Sequence, residues 1–169
     1  MKRALLPLLL ASGLALAGDA REVTWEDLIP ADYQPENLFA NVDVNSMQDG
    51  DPKAVEAMEK LRAMWKDAPV VNTLDTQRVK ISGFAVPLDG DGQITTEFLL
   101  VPYYGACVHV PPPPSNQVIV VSLDKPQDLI KQPFDPVWVE GKLSIQRFSN
   151  ELADAGYAIK SAKITAFEE

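Results

Sequence analysis

Cysteine and histidine are almost absent from this sequence, which has one of each, Cys107 and His109. A single cysteine excludes an internal disulfide, so the chain is not a disulfide-stapled scaffold and must bury a core of its own. Zinc takes three or four protein ligands, so the chain's own Cys and His cannot by themselves complete a zinc site. Basic residues are also scarce, with 15 Lys and Arg against 24 Asp and Glu and a formal net charge of −9. That balance argues against a nucleic-acid surface, which needs clustered Lys and Arg facing phosphates, and against an anionic membrane surface. No apolar run reaches the ~20 residues that a membrane span requires.

What is present begins at the N-terminus. Lys2 and Arg3 precede an uncharged stretch from Ala4 to Ala17, rich in Leu and Ala, which closes on the triplet Ala15-Leu16-Ala17. A basic start, an apolar middle and a small-x-small end form the pattern of a cleavable secretory signal. The alternative, a retained anchor, needs a longer apolar run than this one, and charge returns at Asp19. No cysteine follows the run, which excludes lipid attachment at a new N-terminal Cys. The sequence therefore predicts a signal peptide over residues 1–17, export, and no membrane insertion after cleavage. Losing Lys2 and Arg3 moves the net charge from −9 to −11. The remaining length favours one compact domain.

The next segment, residues 18–69, reads as helical. Thr24, with Asp27 three residues on, is a plausible cap for a short turn that Pro30 ends. Residues 31–50 read as a polar connection. Asp51-Pro52 then opens a helix, with Val55, Met58, Leu61, Met64 and Trp65 in one apolar stripe. Such a stripe is expected to be core rather than a ligand site.

From residue 70 to 169 the period changes to that of strands. Five are expected: Arg78–Val86, Thr95–Pro102, Asn116–Leu123, Pro136–Ile145 and Gly156–Phe167. A turn falls at Leu88–Gly92 and a loop or short helix at Pro126–Phe134. This spacing points to a mainly β fold, a small five-stranded Greek-key barrel of the OB-fold kind with the helical segment packed on it. Gly83 and Gly141, inside two of the strands, fit sharp coiling where a side chain would crowd the bend. An open antiparallel sheet packed on the helix is the alternative architecture.

The densest local signal runs from Phe98 to Gln117. A strand leads into Tyr103-Tyr104, then Gly105-Ala106, Cys107-Val108-His109, and the extended run Pro111, Pro112, Pro113 and Pro114. Cys107 and His109 stand two apart, so an extended backbone directs both to one face. Thiolate and imidazole suit zinc or copper, and Asp89, Asp91 or Glu97 could complete a zinc site, or a methionine a copper(I) site. The same pair could serve a thiol-dependent enzyme, although no oxyanion-hole motif accompanies it. It could equally be structural, a buried thiol beside a satisfied histidine. Tyr103, Tyr104 and the prolines suit a partner-docking surface, since tyrosine is enriched at interfaces.

At these residues the chain resembles the DUF3299 family of exported bacterial proteins. The resemblance rests on Trp25–Pro30, on Val79–Leu88, and on Glu97 through Gln117 with its Cys107-x-His109-x-Pro111 run. It implies a periplasmic location and, more weakly, an association with ABC-type envelope transporters or metal handling. It implies no reaction. The expectation is a non-enzymatic periplasmic accessory protein that binds zinc or copper through Cys107 and His109. The alternatives are a metal-free module docking on an envelope transporter or another periplasmic protein, and a thiol-dependent enzyme.

Overall fold

The computed structural model describes residues 19–34, 52–88, 95–106 and 113–167. The expected signal peptide lies outside the described residues, as do Asp51, Asp89, Asp91, Cys107, His109, Pro111 and Pro112. The described chain is mainly β. It comprises β1 (Arg21–Glu22), α1 (Pro52–Lys66), β2 (Arg78–Pro87), β3 (Thr95–Val101), β4 (Ile119–Gln127), β5 (Asp135–Ser149) and β6 (Asp154–Ala166). Short 3-10 turns cover Glu26–Leu28, Asn72–Leu74 and Ser115–Gln117.

One six-stranded sheet holds all the strands in the order β1-β2-β3-β4-β6-β5, and β2 pairs with β5 as well. β4 and β6 run parallel, with Ile119–Val121 opposite Tyr157–Ile159, whereas the β2–β3, β2–β5, β3–β4 and β5–β6 pairs are antiparallel. β3 reaches only the second half of β2, from Phe84 to Pro87. β1 fills the vacant side by pairing in parallel with Val79 and Lys80, so the first half of β2 is not left as a bare edge.

Alternation along these strands buries two clusters. One phase sends Val79, Ile81, Phe98, Leu100, Ile119 and Val121 into the larger core, where Val139, Tyr157 and Ile159 join them. The other phase of the same strands buries Leu99, Val101, Val118 and Val120 with Ala106, Phe134 and Ala158. Phe98–Val101 of β3 and Ile119–Val121 at the start of β4 therefore read as continuous apolar runs, because both faces are covered there.

Both strand glycines sit where a Cβ would collide. At Gly83 it would fall 2.8 Å from the Val101 carbonyl oxygen and 2.9 Å from Trp25 Cζ2. At Gly141 it would run into the Ile159 side chain. The space over Gly83 is taken by the Trp25 indole, whose Nε1–H donates to the Ser82 carbonyl at 2.8 Å. The turn beyond Trp25 is stitched from its acidic end. Asp27 Oδ2 accepts from the Thr24 N–H at 2.8 Å and from its hydroxyl at 3.1 Å, so Asp27 holds Thr24 rather than the reverse. The Thr24 backbone bond, then its hydroxyl, holds the Asp27 carboxyl below its ordinary range.

Helix α1 corrects one expectation. Its apolar stripe is not core throughout, because Val55 is 50% and Met58 43% exposed, while Leu61, Met64 and Trp65 are half-buried. The tethers explain the gradient, since Arg147 donates to the Lys66 carbonyl at 3.2 Å and Lys66 faces Asp154 at 3.9 Å, both at the helix's C-terminal end.

Because the site over Gly83 is already filled by Trp25 and the Val101 carbonyl, Gly83→Ala is expected to destabilise the fold by ~2 kcal/mol through overpacking. Chemical denaturation followed by tryptophan fluorescence checks this, and an unchanged midpoint would contradict the packing described.

Candidate functional site

The connection from β3 to β4 carries most of the residues singled out in the sequence. Its described entry is Pro102–Ala106 and its described exit Pro113–Val118. Cys107 and His109 fall between them, outside the described residues. Of the carboxylates considered as partners, Glu97 is described: it is half-buried on β3, and its Oε1 accepts from the Ser122 hydroxyl at 3.1 Å.

At the entry, the chain leaves β3 through Val101 and turns at Gly105, whose φ of 81° lies in the left-handed region that glycine enters without strain. Ala106 is fully buried in the second cluster. Tyr103 and Tyr104 stay outside, 43% and 68% exposed. Tyr104 nevertheless has a fixed seat. Its ring meets Phe84 edge-on with centroids 6.2 Å apart and lies tilted against Phe134 at 5.0 Å. Phe84 projects from β2, and Phe134 from the turn before β5.

Phe134 has φ of 70°, a conformation that a bulky L residue rarely adopts. Its N–H donates to the Ala85 carbonyl at 2.7 Å, and its side chain is 5% exposed. The bond to β2 and the burial of the ring together hold the strained backbone in place. Strain of this kind costs roughly 1–3 kcal/mol and persists only where the surroundings over-determine it.

The exit is held by polar bonds. Pro113 is buried and Pro114 half-buried, and the Ser115–Gln117 turn follows. Asn116 Nδ2 donates to the Pro69 carbonyl at 2.8 Å, and Gln117 Nε2 to the Trp25 carbonyl at 2.8 Å. The Arg147 guanidinium reaches the Ser115 hydroxyl at 2.8 Å and the Ala68 carbonyl at 2.9 Å. Beneath them the fully buried Tyr157 donates its hydroxyl to the Leu28 carbonyl at 2.9 Å and accepts the Val71 N–H at 2.7 Å. Burial pushes the Tyr157 hydroxyl's pKa up, opposed by the Val71 bond and the Arg147 charge. Asn116 Oδ1 is buried with no hydrogen-bond partner among the described residues.

The structure thus places Tyr103 and Tyr104 at one end of the connection and Pro113 and Pro114 at the other, each end anchored in the fold. Sequence reasoning missed Phe84 and Phe134, which form the seat, and Asn116, Gln117, Arg147 and Tyr157, which hold the exit. One signal could have been read: three consecutive polar residues, Ser115-Asn116-Gln117, stand directly before an apolar strand, where buried hydrogen bonding is the usual reason for them. Among the described residues no group of three His, Cys, Asp or Glu side chains is placed to hold a metal ion.

A family model described as "Protein of unknown function (DUF3299)" matches residues 25–166. The crystal structure of a DUF3299 family protein from Pseudomonas aeruginosa PAO1 is similar to this chain at 38% sequence identity and a TM-score of 0.69. The similarity covers 90% of this chain and 99% of that one. No curated protein matches the chain.

Tyr157→Phe keeps the ring and removes the hydroxyl, leaving the Leu28 carbonyl and the Val71 N–H unpaired in the interior. The expected loss of stability is about 2 kcal/mol. Urea denaturation reads it, and amide hydrogen exchange at Val71 should speed up in the same variant.

Proposed function

This chain belongs to the DUF3299 family, and we propose that it acts as an exported, non-catalytic periplasmic binding protein that docks an envelope protein through the aromatic surface at Tyr103 and Tyr104. The observation that carries this reading is Tyr104 itself. A large aromatic side chain, 68% exposed, is seated on two rings, one of which belongs to a residue in a strained backbone conformation. A solvent-facing tyrosine needs no such support for folding. A rigid aromatic that offers wide contact area at little loss of side-chain freedom suits a protein interface. The chemistry it fits is an apolar pocket with a polar rim, on a transporter component or another envelope protein.

The scaffold we propose is an OB-type barrel. Its support is the pairing order, in which β2, β3, β4, β6 and β5 each have two neighbours around the ring, with β4 and β6 parallel. Export rests on the signal pattern in residues 1–17.

A second reading adds zinc or copper, held by Cys107 and His109 on the same connection. Its support is the Cys107-x-His109 spacing in the sequence, between the buried Ala106 and the buried Pro113 and Ser115. Thiolate and imidazole two residues apart are the side chains best suited to either metal. A partner residue would then complete the metal's ligand set.

Docking is tested by photocrosslinking in intact cells. A benzophenone side chain at position 104 should give a discrete protein adduct, while one at the exposed Lys125 should not. Tyr104→Ala should remove the adduct formed from position 103 and leave the melting temperature within a few degrees of wild type. Equal adducts from positions 104 and 125, or none from 104, would sink the docking reading.

The metal reading has its own measurement. Calorimetric titration of zinc or copper(I) into the mature protein should show one site, weakened about tenfold or more in Cys107→Ser and in His109→Ala. Equal binding by all three proteins ends it.

A further inference from the structure

The outward face of β2, β5 and β6 carries a feature that composition concealed. Residues directly opposite one another in an antiparallel pair share a face, so the registers set out three rows across these strands. The first is Arg78, Lys142 and Lys160, the second Lys80, Glu140 and Lys163, and the third Ser82, Trp138 and Thr165. On a chain of net charge −9, the first two rows hold five cations and one carboxylate. That carboxylate is already paired, since Arg78 Nη2 lies 2.5 Å from Glu140 Oε1. Among the described residues no carboxylate pairs with Lys142, Lys160 or Lys163. Lys80 has only the well-exposed Glu22, at 3.9 Å.

The face is not flat. Lys80, Trp138, Glu140, Lys163 and Thr165 line a hollow of about 270 Å³. Its walls are braced, because Lys80 Nζ stands 4.1 Å from the Trp138 ring centroid and Trp138 lies at 5.7 Å and 30° against Phe167. The Lys80 ammonium is therefore positioned by a cation–π contact rather than left to wave in solvent.

We propose that this hollow binds the phosphate group of a small phosphate ester. Two ammonium groups, Lys80 and Lys163, supply the charge, and the Thr165 hydroxyl supplies a neutral donor. A phosphate, with three acceptor oxygens, uses all of them where a carboxylate would not. Arg78 takes up the Glu140 charge that would otherwise repel the anion, and Glu140 keeps acceptor capacity for a hydroxyl on the ligand. A compact ligand also fits the long-range field. Screening at physiological salt extends over ~8 Å, so a group seated between the two lysines is shielded from the acidic remainder of the chain. An extended anionic surface would meet that remainder. The site is separate from the Tyr104 surface and does not depend on the docking reading.

The test uses the mature protein with three probes: inorganic phosphate, glucose 1-phosphate, and vesicles containing phosphatidylglycerol. Calorimetry should show saturable one-site binding of glucose 1-phosphate, weakened about tenfold in Lys163→Ala and in Lys80→Ala. Lys142→Ala removes the same charge from the same face but lies outside the hollow, and should change affinity by less than about twofold. Vesicle binding in place of glucose 1-phosphate binding would overturn the small-ester proposal. Equal weakening by all three variants would mean diffuse charge attraction and overturn the proposal, as would the absence of binding to every probe.

Discussion

The contact between Trp25 and the bare backbone of Gly83 is the constraint on which the rest of the molecule depends. A side chain at Gly83 would occupy the volume that the indole fills, and the indole N–H satisfies the Ser82 carbonyl beside it. The carbonyl of the same tryptophan accepts from Gln117, which leads into β4. One residue near the N-terminus thereby joins the first long strand to the end of the β3–β4 connection. Leu28, one turn further on, is buried and bonded to Tyr157 on the last strand. The exit of that connection is only as firm as this N-terminal lid, while its entry relies on the separate packing of Ala106 and the aromatic cluster.

The strands were legible because alternation is a local property. Arg78–Pro87 and Thr95–Val101 stand within a residue of where their patterns place them. The last strand read imperfectly, with apolar residues at Ile159 and then Ala162, and the reason is physical. The pairing with β5 shifts between Glu140 and Lys142, and Ser161 enters the left-handed region, which resets the alternation by one residue. β1 was illegible because two residues carry no period. Pairing also ran on past the expected ends, with β4 reaching Gln127 and β5 Ser149. The helical stripe promised burial that Val55 and Met58 do not receive, since periodicity describes an apolar face but not what covers it.

The chemistry was legible unevenly. Tyr103 and Tyr104 stood out as a pair, and both are exposed. Their seat did not, because Phe84 and Phe134 come from distant segments and a strained φ leaves no mark on the sequence. The basic face was hidden for the same reason: Arg78 and Lys80, Lys142, and Lys160 and Lys163 lie on three strands, and only the register gathers them. Overall charge pointed the other way. Once the strands are paired, Lys80, Ser82 and Phe84 project from one side of β2, so the hollow and the aromatic seat share a strand face ~13 Å apart.

The hydrogen bond from Tyr157 to Leu28 spans 129 positions of the chain, and β6 is also the strand that β4 and β5 need as a neighbour. Until the last strand has been synthesised, the N-terminal lid has no partner for its carbonyl and the larger core lacks Tyr157 and Ile159. A polypeptide wired in this way cannot lock while it is being made, and its many distant pairings make it slow to lock afterwards. Late closure is thus a property of the topology itself: the interior stays open until β6 arrives to stand between β4 and β5.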